Sequence, residues 1–210
     1  LTGVMGGMGW YFGRMRVHPT NNQQLYLLGV RALSSPNGGG GWTNLTPTNG
    51  PNAPHVDNHE LVFGPSGSIY LGTDGGIYKR SAGTNTWVDI ENIPNTQVYR
   101  TAYNPHEPQL FYAGTQDNGT NSGNALTINN WAKITGADGF QMAFHPDDPD
   151  ISYVETQNGN ILVITNGSAY QIATFGIDPS DRKNWDMQYI LSHHDPSILY
   201  TGTQRMYKNT

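Results

Sequence analysis

Five prolines, Pro19, Pro65, Pro105, Pro146 and Pro196, each close a short run of β-branched and aromatic residues, at steps of 46, 40, 41 and 50 residues. A chain with this spacing builds one supersecondary unit several times, because each copy must bury its apolar face against the next. The unit is plainest at 55–87, where runs at 61–63, 68–71 and 76–79 are broken by Gly, Pro, Ser or Asp, and a fourth run at 86–90 opens on a tryptophan. That pattern predicts strand, turn, strand, turn, strand, turn, strand. An aromatic marks the second strand of every copy, at Tyr26, Tyr70, Tyr112, Tyr153 and Tyr200. A tryptophan marks the fourth at Trp42, Trp87 and Trp131, and Tyr170 takes its place in the next copy.

Four strands in about 40–45 residues is the period of a β-propeller blade. The expected fold is therefore all-β, a β-propeller of four-stranded antiparallel blades with units at 10–46, 55–92, 97–135, 138–175 and 186–210. A β-sandwich would also use short strands, but it supplies no recurring register. The last unit stops after its third strand, which predicts that these 210 residues are part of a longer chain and a larger propeller.

Charged residues make up only 13% of the chain, while Gly (26) and Pro (13) are plentiful, as many turns between short strands require. The formal charge of -5 and the lack of a Lys/Arg cluster argue against nucleic acid or an anionic membrane surface as partner. No run approaches the roughly 18 apolar residues of a membrane-spanning helix, so no membrane insertion is expected. Without cysteine there is no disulfide and no thiolate chemistry. The Asn-, Thr- and Gly-rich turns suggest a secreted or cell-surface protein. Asn44, Asn118 and Asn166 stand in N-x-[ST] sites that matter only in a eukaryotic secretory pathway. Residues 1–9 have neither a basic start nor a long apolar run, so no signal peptide is expected there.

Between the third and fourth strands of the first unit lies Ser35-Pro-Asn-Gly-Gly-Gly-Gly-Trp42. It resembles the Asp-box, S-x-D-x-G-x-[ST]-W, of sialidase-type (BNR repeat) propellers, with Asn37 in the Asp place and Gly41 in the Ser/Thr place. A shorter form, 81–87, holds the same position in the second unit. Together with LFYAGTQDNGT, GADGFQMAFHPDDP, VDNHELVF and GTDGGIY, these segments are similar to secreted bacterial Asp-box propellers, relatives in fold of sortilin-type and xyloglucanase-type propellers. The resemblance spans nearly the whole chain and implies architecture rather than activity, since the fold serves enzymes and binders alike.

Strands that run up and down put the second-to-third turns and the connections between units at one end of each sheet. That end collects His55, Asp57 and His59; Asp74; Gln116, Asp117 and Asn118; Asp138; Gln157 and Asn158; and Gln204 with Arg205. Carboxylates and amides beside Trp10, Tyr11, Tyr99 and Phe140 suit a sugar, which needs many hydrogen-bond partners and a flat apolar surface to stack on. The expected partner is a carbohydrate or protein ligand, or the rest of a surface assembly. The plain alternative for each Asp-Gly pair is a turn residue.

T-D-G-G-I-Y-K around Asp74 resembles the surroundings of a catalytic Asp in xyloglucan-cleaving propellers, though those enzymes have one more residue before the glycine pair and draw their two carboxylates from separate propellers. With Asp138 as partner, Asp74 is the candidate for glycoside hydrolysis. The sialidase arginine trio is not evident: Arg16 and Arg100 fall on first strands, but no third arginine and no Tyr-Glu nucleophile pair is assigned. His55, Asp57 and His59 alternate along one side of an extended run, a spacing that holds either a divalent metal or, the preferred reading, a hydrogen-bonded cap on the first strand. Asp147, Asp148 and Asp150 read as a solvated turn. No cofactor is expected.

Overall fold

The computed structural model describes residues 6–50, 52–90, 93, 95–128, 130–167 and 169–209, with the side chains at 169–171 left aside. Residues 1–5 of the opening stretch, the end of the second expected unit at 91–92 and the Tyr170 side chain lie outside the described residues. The chain divides into two compact units, Leu1–Ile93 and Pro94–Thr210.

The first unit holds two four-stranded antiparallel sheets. One is β1 (Arg14–His18), β2 (Asn21–Leu28), β3 (Ala32–Ser35) and β4 (Thr43–Asn44); the other is β5 (Asn58–Phe63), β6 (Ile69–Thr73), β7 (Gly76–Arg80) and β8 (Trp87–Asp89), each paired in chain order. The second unit holds three: β9 (Val98–Ala102), β10 (Phe111–Thr115), β11 (Gly119–Gly123) and β12 (Ala132–Thr135); β13 (Met142–Phe144), β14 (Ile151–Thr156), β15 (Asn160–Thr165) and β16 (Ala169–Ile172); and the three-stranded β17 (Tyr189–Leu191), β18 (Leu199–Gly202) and β19 (Met206–Asn209). A single turn of 3₁₀-helix, Gln157–Gly159, joins β14 to β15.

Alternation along the second strands supplies the core. In the first unit Tyr26 and Leu28 from β2 pack with Leu61, Ile69, Leu71 and Tyr78 of the neighbouring sheet, and Trp87, 1% exposed, sits among them. In the second unit Tyr153 and Ile161 pack with Met187, Tyr189 and Leu199, so the fourth and fifth sheets of the chain share one core. The Tyr189 hydroxyl crosses that interface and donates to the Tyr153 carbonyl at 3.0 Å. Trp42 and Trp131, in the place that Trp87 holds in its unit, remain partly exposed; Trp131 lies over Gly123 of its own sheet.

Most turns at the first-to-second-strand end are closed by their own side chains. Asn104 Oδ1 accepts from His106 N–H, Asp148 Oδ1 from Asp150 N–H and Asp195 Oδ1 from Ser197 N–H. These are Asx turns. In the 35–42 turn Ser35 Oγ accepts from Gly39 N–H and Asn37 Oδ1 from Gly41 N–H, both at 2.9 Å. Asn37→Ala removes one of these acceptors and is expected to cost about 1 kcal/mol, read as a lower urea midpoint with unchanged slope.

Candidate functional site

In the first unit the connection into β5 meets the β6–β7 turn. Asp57 N–H donates to Val30 O at 3.1 Å and Asn58 N–H to Gly29 O at 2.8 Å, which ties the connection to the first sheet. Asp74 N–H in turn donates to Asp57 O at 3.2 Å. Those bonds hold Asp57 at φ 63° and force a register shift between Asn58 and Glu60. The regular alternation expected for His55, Asp57 and His59 is therefore broken: β5 begins at Asn58, and a left-handed residue precedes it.

The side chains nonetheless gather. His59 Nε2 hydrogen-bonds Asp74 Oδ1, and His55 packs against Gly75, where a Cβ would overlap it. The His55 backbone also bonds the Tyr78 hydroxyl. A ligand oxygen of Asp57 lies within 4.8 Å of one of Asp74. Burial, and then the charge of Asp74, raise the Asp57 carboxyl above its ordinary value, while His55 and His59 pull the other way. Beside this group the rings of Tyr11 and Phe12 lie 5.5 and 5.3 Å from the His59 ring, and Trp10 stands against Tyr11, 81% exposed. Phe12 was not singled out by the sequence; its place beside Tyr11 was the available signal.

In the second unit Gln116, Asp117 and Asn118 form the β10–β11 turn, with Asp117 at φ 59° and Gln116 N–H donating to Gln97 O. Asp138, expected to face a ligand, is buried: its carboxylate accepts the Asp117 N–H at 2.5 Å and Asp138 bridges Gly119. Phe140, expected as a platform, is 0% exposed and stacks on Tyr99 at 4.7 Å, so its ring offers no face to solvent. The reason is the same for both, since the connection into β13 crosses tightly over β10 and β11. The Cβ of a side chain at Gly114 would overlap the Phe140 carbonyl, and one at Gly139 would press on Gly119.

Gln157 and Asn158 lie in the β14–β15 turn, and Asn158 N–H donates to the Trp185 carbonyl at 3.0 Å. Gln204 and Arg205 are drawn to Asp181: Gln204 Nε2 and Arg205 Nη1 donate to its Oδ1 at 2.7 and 2.9 Å, and Thr203 and Tyr207 hydroxyls donate to Oδ2. Those hydroxyls, with Arg205, hold the Asp181 carboxyl below its usual range. The first-strand arginines, Arg14 and Arg16 on β1 and Arg100 on β9, also have carboxylate partners. Arg16 donates twice to Glu60, at 2.8 and 2.6 Å, and Arg100 to Asp186, as close as 2.6 Å. Asp181 and Asp186 escaped sequence reasoning because their side-chain partners come from 22 to 86 residues away, a pairing that spacing does not display.

No protein-family model matches the sequence, and neither does any curated protein. Among solved structures the chain is similar to a GH74 xyloglucanase from Xanthomonas campestris, at 14% identity and a TM-score of 0.41 over 93% of this chain and 36% of that one. It is similar to YCF48 bound to D1 peptide, at 12% identity and 0.41 over 93% and 63%. A third likeness is to the extracellular domain of a hybrid two-component system from B. thetaiotaomicron, at 15% identity and 0.39 over 90% and 25%. The chain thus spans less than two thirds of the length of these structures. All-β and built from four successive four-stranded antiparallel sheets and one three-stranded sheet, it is of the β-propeller class. Among the described residues no helix is long and apolar enough to cross a membrane.

Proposed function

We propose that this chain is a segment of a secreted or cell-surface propeller of the Asp-box kind that binds glycan through the second-to-third-strand end of its blades. The observation that carries the reading is the corner of the first unit, where Asp57, Asp74 and His59 lie beside the Tyr11 and Phe12 rings and the exposed Trp10. Ionised carboxylates accept from sugar hydroxyls, and an indole offers the flat apolar surface that a pyranose stacks on. Glu60 and Asp186 engage Arg16 and Arg100, and Asp57 and Asp74 give the corner two carboxylates, so a neutral glycan is the better fit.

A second reading, glycoside hydrolysis, draws on the closeness of Asp57 and Asp74. Retaining enzymes set two carboxyl groups about 5–5.5 Å apart, one protonated and one ionised. A raised Asp57 beside an Asp74 engaged by His59 suits acid and nucleophile respectively.

Glycan-array binding separates the two. Binding that falls at least about tenfold in Asp57→Asn and in Asp74→Asn, with no sugar released from polysaccharides, is the expected result. Release abolished by either change makes the chain a hydrolase. Indifference of both assays to both changes sinks the corner as a site and leaves the blades as docking surface for a protein partner.

A further inference from the structure

The ends of the second strands carry a short motif: Gly72-Thr73 in β6, Gly114-Thr115 in β10 and Gly202-Thr203 at the end of β18. In β14 the glycine's place is taken by Glu155, ahead of Thr156. Gly114 shows what the small residue allows, a connection crossing in direct contact with the strand. Glu155 fills that crossing with a carboxyl group. It is 0% exposed; Oε1 accepts the Met187 N–H at 2.6 Å, and Oε2 has no hydrogen-bond partner.

What the carboxyl holds is the strap at 184–187. Three contacts together hold the strap after Asn184: the Trp185 carbonyl to Asn158, Asp186 to Arg100, and Met187 to Glu155. The Trp185 ring packs edge-on to Phe140 at 6.2 Å and its indole N–H bonds the Tyr99 hydroxyl, yet the residue is 51% exposed. A large aromatic surface kept in water and fixed in place is preorganised to be covered, because no ordering cost is left for the ligand to meet. An exposed indole with Asn184 and Asp186 as its chain neighbours suits the apolar face and hydroxyls of a sugar ring.

We infer that Glu155 is a positioning residue for a second stacking platform: its protonated carboxyl latches the 184–187 strap and sets Trp185 for the apolar face of a sugar, and loss of that proton frees the strap. The sugar as occupant rests on the glycan reading above; the latch does not. A carboxylate buried without an ionic partner in direct contact is strongly disfavoured. The groups facing Glu155 are Asp186 on the strap, Arg100 on β9 and Tyr189 on β17. Burial raises its pKa to about 8, helped by Asp186 and opposed by the Met187 and Gln141 bonds and by Arg100.

Acrylamide quenching of Trp185 tests the latch, its emission taken as the difference between the intact chain and Trp185→Phe, since the chain has five tryptophans. The expected result is a rise of about twofold in quenching between pH 6 and 9.5 with a midpoint near 8, absent in Glu155→Gln at matched circular dichroism. Glu155→Asp, which withdraws the carboxyl by one methylene, is expected to show the high quenching already at pH 6. Calorimetric titration with cellohexaose should weaken above pH 9 in the intact chain and hold in Glu155→Gln. Quenching that ignores pH, or titrates alike in Glu155→Gln, overturns the latch. Quenching that titrates while cellohexaose binds at no pH overturns the sugar as occupant of Trp185 and leaves the latch standing, whereas cellohexaose binding untouched by Trp185→Phe removes the platform alone.

Discussion

Gly119→Ala is expected to lower the stability of the second unit by about 3 kcal/mol or more. Two effects add there. The residue is held at φ 78°, where an L side chain is strained by about 1–2 kcal/mol, and the new Cβ would overlap the Thr135 carbonyl oxygen, which belongs to the paired strand and has little room to retreat. Two other alanines separate the effects. Gly167 has φ 70° with nothing within 4 Å, so Gly167→Ala carries the strain alone, about 1 kcal/mol; Gly136 has open space and no positive φ, so Gly136→Ala should fall within about 0.5 kcal/mol of the parent. Urea unfolding of the three variants orders them. Equal midpoints for Gly119→Ala and Gly136→Ala would mean that β11 and β12 are not packed as described.

Raising the pH from 5 to 9 is expected to remove on the order of 4 kcal/mol of stability through Glu155 alone. Unfolded, this carboxyl titrates near 4.5; folded, it titrates near 8. Between those values the folded state keeps a proton that the unfolded chain has given up, so the favourable difference is whole below about 4.5 and gone once pH passes through 8. The thermal midpoint should fall steadily across that window. In Glu155→Gln the slope should flatten, since the amide has no proton to lose. A parent midpoint that stays level from pH 5 to 9 contradicts the burial of this group.

Much of the architecture was legible because its signals are local. A strand that ends in Pro, an aromatic at the second strand and a turn of Gly, Asn or Asp are all written within a few residues, and the sheets follow them. The gathering of His55, Asp57, His59 and Asp74 was legible as well, though not by the alternation that pointed to it: Asp57 is turned left-handed by bonds to Val30 and Asp74, partners 27 and 17 residues away by position. Phe140 and Asp138 show the opposite failure. An aromatic and a carboxylate in a Gly-rich connection read the same whether the segment faces water or lies across a neighbouring strand, and here it lies across β10 and β11. Glu155 had a visible sign, a Glu in the place where three other second strands carry Gly, but its meaning depends on Met187 lying over it.

The side-chain-closed turns at the other end of the sheets separate two kinds of freedom. Because the loops at Asn104, Asp148 and Asp195 satisfy their own backbone donors, they ask nothing of the residues that hold the corner or the strap. Such loops can be lengthened, labelled or fused to a reporter without disturbing the side chains at the far end of the same three sheets.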